Sequence, residues 1–401
     1  MKLKNARFAL ALLLAASMIP LVSVASVAVA QTPTQSITVD CASGQSLNGT
    51  LAKLDKQTSS TVSVNGTCTE YVQVIGFETL TLKGLAGATL AQPSSGAGSV
   101  FNALLYIESS RSVTVDGFSL QADTVTAPAV GVGQGSSDIR LRHLNIRGGT
   151  SGIFVFENSQ VSIAYVTAQD PGYSALSVYD LSDVHVERSL FEDSTGASWH
   201  VGMDVGASHV TVYDTTISNM QVGINGHGGA IVDVQSFDTY YALGGPTDVT
   251  IKNSAGTNYN GVTIDTGGSL NVGSAKLVIN QPGQSYGGTT GGVLMSDGAS
   301  MNASNGNLVI TGSNGQGVMA LNNSHATLIG ATVTKGSHGG LVAANLSSID
   351  VSAGSTLTLV SGNSVDLFCD PGSTITGSGN LLGVPTAQCT NLLAGETVTL
   401  P

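Results

Sequence analysis

Five side chains near the middle of the chain could meet one ligand: Phe154, Phe156, Tyr179, Asp204 and His227. They stand on short segments in which apolar residues alternate with others, so Ile153 and Val155 point one way and Phe154 and Phe156 the other. The outward positions of successive segments read Tyr106 and Glu108, Gly131 and Gly133, Phe154 and Phe156, Ser177 and Tyr179, Asp204, then Asn225 and His227. Four outward aromatics are many for a chain that is 5% aromatic. Rings flanked by carboxylate and amide groups suit a ligand with apolar faces and hydroxyls, and sugars have both. A slip of one residue would turn both phenylalanines inward, so this candidate site rests on the register.

A second candidate is basic. Arg140, Arg142, His143 and Arg147 cluster on one repeat, which holds three of the five arginines beyond residue 30. Stacking predicts Arg140 and His185 on one sheet, two repeats apart, a pattern that could grip an acidic sugar. Proton removal beside a uronate carboxylate would need a base together with a cation or Ca²⁺. No Asp-x-Asp ladder points to a Ca²⁺ cage, and no cofactor motif or metal-ligand spacing stands out.

These residues are positioned by a repeat. Its phrase is apolar, outward, apolar, two turn residues, then apolar, outward, apolar: Val113-Thr-Val115 with Phe118 and Leu120, then Ile139-Arg-Leu141 with Leu144 and Ile146. It recurs at Val161, Val184, Val210 and Val232, with fainter copies at Leu270, Ala326 and Ile349. The strands are too short to be helices, and Gly, Asn, Asp and Ser punctuate them. A period of 22 to 26 residues built from such strands is a solenoid. Over about residues 70–365 the chain resembles the right-handed parallel β-helix of the pectin-lyase-like superfamily, which implies an all-β fold of about a dozen coils. Asparagine-rich turns should form stacked ladders or left-handed corners.

Residues 199–266 also resemble a degraded polygalacturonase. That family carries an Asn-Thr-Asp motif, an Asp pair about one coil later, Gly-His-Gly, and Arg-Ile-Lys. Here Val201 stands for the first carboxylate, Gln221-Val222 stands at the Asp pair, and Thr263 and Asp265 replace the Arg and Lys; Gly226-His227-Gly228 matches intact. Inverting hydrolysis needs an acid and a water-activating base, and valine can serve as neither. The resemblance therefore argues against that activity and leaves Asp204 and His227 as ligand contacts rather than a catalytic pair.

The ends frame the array. Lys2, Lys4 and Arg7, an apolar stretch over 8–27 and Ala28-Val29-Ala30 read as a signal peptide cleaved near Ala30. The mature chain would carry a net charge of −15 against −12 for the whole, which disfavours a nucleic-acid partner. It should be secreted or periplasmic, monomeric and free of the membrane. Residues 31–100 should hold a cap and the first coils, 101–365 the β-helix coils, and 366–401 a second cap. Leu47, Leu51 and Leu54 share one helical face within 46–56, with Ser46 as its cap, so an amphipathic helix should cover the first coil. Four cysteines permit three connectivities, of which proximity favours Cys41–Cys68 and Cys369–Cys389. Three readings of function remain open: a non-catalytic binder of polysaccharide or cell-surface glycan; a lyase, hydrolase or epimerase on acidic glycans; and a structural or adhesive envelope protein.

Overall fold

A computed structural model describes residues 35–382 apart from 95–102, 196–198, 236–247, 253–259, 281–290, 305, 313–314, 335–338 and 359–366. Residues 1–30, where the sequence leads one to expect a signal peptide, and Cys389 lie outside the described residues. The chain winds as a parallel β-solenoid with three short strands per coil. One sheet stacks twelve strands, from Val72–Ile75 to Leu367–Cys369, one per coil. The other sheet has 25 strands and carries the remaining two rows, represented in one coil by Ile139–Arg142 and Asn145–Arg147.

The repeat phrase holds its register through the stack. Ile139, Val161, Val184, Val210, Val232 and Leu270 are partners in one row, and Ala326 pairs with Ile349 further along it. Their inward side chains are wholly buried in one continuous core. Glycine occupies an inward position where the twelve-stranded sheet approaches the opposite wall. A Cβ on Gly202, Gly223, Gly261, Gly292 or Gly317 would stand 2.4–2.7 Å from a branched side chain, respectively Ile217, Ile251, Ile279, Ile310 and Val333. Small residues there let the two walls meet.

Corners follow the expected chemistry. Asn158, Asn322, Asn323 and Asn345 all take positive φ, in the left-handed region that asparagine tolerates. Asn345 Nδ2 donates to Asn322 Oδ1 at 2.8 Å, and Asn322 Nδ2 to Asp297 Oδ1 at 2.8 Å, so polar groups stack from coil to coil. Under the corners runs a buried serine ladder. The amides of Ser159 and Ser182 donate to the hydroxyls of Ser182 and Ser208 at 3.2 Å each.

At the N-terminal end a short helix, Leu47–Leu51, covers the first coil. Ser46 Oγ accepts from the Gly49 amide at 2.9 Å, and Glu70 Oε1 accepts from the Leu47 amide at 2.6 Å. The helix is shorter than the sequence suggests and stops at Leu51, yet Leu54 is still buried beyond it. Cys41 and Cys68 are bridged, with Cα atoms 5.1 Å apart. Cys369 is disulfide-bonded as well, and its expected partner Cys389 lies outside the described residues.

Candidate functional site

The outward face of the twelve-stranded sheet brings the predicted rings into one row. Register places Tyr106 beside Gly131, Gly131 beside Phe154, Phe154 beside Ser177, Ser177 beside Asp204, and Asp204 beside Asn225. Ile153, Val155, Leu176 and Val178 face the other way and have no exposed surface. Tyr106 and Phe156 belong to a small cluster separate from the core, with Phe154 and Tyr179 packed against it.

The rings touch in series. Phe154 and Phe156 stack with centroids 4.9 Å apart, Phe154 meets Tyr179 at 5.8 Å, and Tyr179 meets His227 at 5.7 Å. Tyr106 extends the series, stacked 6.5 Å from Phe156. Glycines make room for them. A Cβ on Gly133 would lie 2.5 Å from the Phe156 ring, and one on Gly206 would lie 2.6 Å from Tyr179 and 2.7 Å from His227. From Tyr106 to His227 the row crosses five strand spacings, roughly 24 Å at about 4.8 Å each.

Exposure divides the predicted residues. Phe154, Tyr179 and His227 are half-buried and offer surface, whereas Phe156 is 5% exposed and Asp204 is wholly enclosed. Phe156 is covered because neighbouring rings lie against it from both sides, and it supports Phe154 rather than offering a face of its own. Asp204 is an anchor for donors. Tyr179 Oη donates to Oδ2, Asn225 Nδ2 donates to Oδ1 at 2.8 Å, and His227 Nε2 stands 3.5 Å from Oδ1. Burial, then the bond to Asp204, hold the Tyr179 phenol far above its ordinary range. Burial and the Asp204 charge push Tyr173 up to about 12. Burial and then Glu108 push Tyr106 to about 12.

Valines stand at the polygalacturonase-like carboxylate positions 201 and 222. Val201 and Val222 are register partners, and Val222 pairs in turn with Asn260.

The basic residues lie elsewhere, on the 25-stranded sheet. Arg140, Ser162 and His185 fall in register as expected. Arg140 is paired with Asp138 at 2.8 Å, and Arg142 is an exposed neighbour on the same strand. His185 packs against Tyr213 at 5.1 Å, and its burial lowers its pKa. Arg147 leaves this group and reaches Asp170 at 3.4 Å.

That contact leads to a feature the sequence reading missed. Asp170–Tyr173, which enter one site strand, and Thr195 and His200, which precede the next, line a cleft of about 590 Å³ together with Thr124, Val125 and Thr150. His200 Nδ1 lies 2.9 Å from Oδ2 of the buried Asp193. Asp193 Oδ1 accepts from the amide and the hydroxyl of Thr195 at 2.8 and 2.6 Å. The aspartate can only accept, so Nδ1 carries its hydrogen toward Asp193, and Nε2 is not part of that bond. Burial opposes ionisation of Asp170, but hydrogen bonds from Ser194 and the charges of Arg147 and His200 outweigh it and hold its carboxyl below the ordinary value. Tyr173 joins the two features: it lines the cleft and lies close enough to Asp204 for that charge to raise its pKa.

Among the described residues, one group of three could ligate a metal, Cys41, Cys68 and Glu70, and its two sulfurs are spent in the disulfide. No described helix is long and apolar enough to cross a membrane.

Residues 99–239 match the family model described as the right handed beta helix region. The chain is a right-handed parallel β-helix. No curated protein matches this β-helix. It is similar to the catalytic domain of a GH87 α-1,3-glucanase in complex with nigerose, at 12% identity over 86% of this chain and 68% of that one, with a TM-score of 0.45. It is similar to PfbA, a surface adhesin of Streptococcus pneumoniae, at 12% identity over 85% and 90%, with a TM-score of 0.41. A pectate lyase from Bacillus sp. N165 in complex with trigalacturonate covers 60% of the β-helix and 82% of itself, at 12% identity and a TM-score of 0.36.

Proposed function

We propose that this β-helix is an exported protein that binds a polysaccharide or cell-surface glycan along its twelve-stranded sheet. The observation that carries the reading is the unbroken series of ring contacts on an outward face, Tyr106–Phe156–Phe154–Tyr179–His227, laid over Gly133 and Gly206. Rings buried for stability alone would join the core, whereas these form a separate layer whose half-exposed members follow the strand-stacking direction. A row of roughly 24 Å matches a few sugar units. Phe154 and Tyr179 would stack on sugar faces, and Asn225 and His227 would bond hydroxyls, with Asp204 and Phe156 fixing them from below.

A second reading, turnover of the glycan as a lyase or hydrolase, draws on the His200–Asp193 pair, because an imidazole held by a buried carboxylate can accept a proton. One screen addresses both: incubation of the purified protein with acidic and neutral polysaccharides, with and without Ca²⁺, reading retention and product release together. Retention without new reducing ends or unsaturated products supports the binder, product release establishes the enzyme, and neither result leaves the ring row without a ligand.

A further inference from the structure

The cleft beside the ring row has its own recognition chemistry. Tyr173 lines it with a ring on a residue that is 46% exposed, and Thr150 and Thr195 also contribute to its wall. His200 lines it with an imidazole whose side chain is only 13% exposed and whose Nδ1 is committed to Asp193. Its volume lies in the range of small-ligand pockets.

Its charge is one-sided. Asp170 lines the cleft, Asp193 stands behind His200, and Asp204 stands behind Tyr173. No Lys or Arg is among the described lining residues, and Arg147, which approaches Asp170, is not part of the wall. A ligand carboxylate placed here would face three carboxylates, and the one wall group able to carry positive charge, His200, is already paired with Asp193, so the wall repels a further anion. A hydroxylated, uncharged ring meets no such penalty. It can donate to Asp170, hydrogen-bond His200 through its hydroxyls and lay its face on Tyr173.

We infer that this cleft is a second glycan subsite, continuous with the ring row through Tyr173, and that it takes a neutral sugar rather than a uronate. The inference rests on the glycan-binding reading above and adds the ligand class and the direction in which the chain leaves the row. Residues that stack in series on the sheet would then guide a neutral polymer to its edge, where His200 and Asp170 bond its hydroxyls.

The test is affinity electrophoresis of the full protein through gels holding soluble starch, mixed-linkage β-glucan, galactomannan, polygalacturonate or alginate at 0.15 M salt. The expected result is retention by at least one neutral polymer, at least tenfold stronger than by either polyuronate. Tyr173→Ala and His200→Gln should each weaken it at least fivefold, with Phe154→Ala as the reference for the row. Thermal melts separate lost contacts from lost fold; should His200→Gln melt early, Tyr173→Ala decides, because its ring lies outside the core. Preference for a polyuronate overturns the ligand class. Retention that both cleft variants preserve and Phe154→Ala abolishes overturns the subsite and keeps the row. Retention by no polymer of either class overturns both.

Discussion

The phenol of Tyr179 donates its hydrogen bond to Asp204, a carboxylate one coil away with no surface exposed to solvent. The pair links the ring row to the sheet beneath it, because Asn225, one strand further on, bonds the same carboxylate. Tyr179→Phe removes one donor from a buried anion and should cost about 1–3 kcal/mol in denaturant unfolding. A phenylalanine variant as stable as the parent would show that the remaining donors suffice.

Ionisation of the site tyrosines should set the alkaline limit of stability. Tyr106 and Tyr173 are raised to about 12 and Tyr179 further, each chiefly by burial, whereas an unfolded tyrosine ionises near its ordinary value of 10.0. Above that value the unfolded chain releases protons that the folded chain retains, so folding loses free energy as pH rises from about 10 to 12 and beyond. Below pH 10 this contribution is fully present. Melting temperature should therefore be flat near pH 9 and fall through that window, with a shallower fall in Tyr179→Phe. Ultraviolet titration of native protein should show the three phenols ionising late, and simple titration near 10 would contradict the burial.

The inward glycines should be intolerant of even one methyl. A Cβ at Gly261 would lie 2.4 Å from Ile279 Cγ2 and 2.7 Å from the Gly292 carbonyl oxygen, the latter a backbone atom that cannot rotate away. Gly261→Ala should destabilise by roughly 1–3 kcal/mol through overpacking. The control is Gly267→Ala, at an exposed corner where a Cβ meets nothing within 4 Å; its cost is set by φ of 75° rather than by contact. Equal melting temperatures for Gly261→Ala and the parent would mean that the walls can part.

Much of this architecture was legible because a strand has a period of two and a coil repeats. Val161, Val184 and Val210 announce their row, and the same alternation sends Phe154 outward while Ile153 and Val155 enter the core. The cleft was not legible for the converse reason. Asp170–Tyr173, Asp193–Thr195 and His200 lie outside the strands, where no period constrains direction, and His200 meets Asp193 from seven positions further along the chain. A buried Asp seven residues before a His has no distinctive spacing. Burial of Phe156 was equally hidden, since it depends on Tyr106, a ring two strands away whose size the local pattern does not report. The arginine cluster illustrates the limit of proximity in sequence: Arg140 turns to Asp138 while Arg147 serves the cleft-side Asp170.

The N-terminal bridge should stabilise the cap. Cys41 and Cys68 are separated by 27 positions, and closing a loop of that size restricts the unfolded chain by roughly 3–4 kcal/mol. The paired Cys41→Ser and Cys68→Ser substitutions should lower stability by about that amount and expose the helix Leu47–Leu51 to early hydrogen exchange. Protection of the Leu51 and Leu54 amides unchanged by the loss of the bridge would assign cap stability to Glu70 and the buried leucines instead.

The ring row makes its own prediction through the glycines under it. Gly206 faces outward, and a Cβ there would fall 2.6 Å from the Tyr179 ring and 2.7 Å from His227. Gly206→Val should therefore displace both rings while leaving the inward neighbour Val205 in place. If the rings bind glycan, this variant should lose affinity without contact between the new side chain and the ligand, by at least the roughly 1 kcal/mol expected of one lost aromatic contact. Phe154→Ala should lose a similar amount with little change in melting temperature, since that ring is half-buried and outside the core. Phe156→Ala should differ from both: its ring is 5% exposed, so removal leaves a cavity beneath Phe154 and costs stability together with affinity. Calorimetric titration and thermal melts on the three variants give three signatures. If Gly206→Val and Phe154→Ala bind as the parent does while Phe156→Ala only melts earlier, the rings serve to cover the sheet and no glycan lies along them.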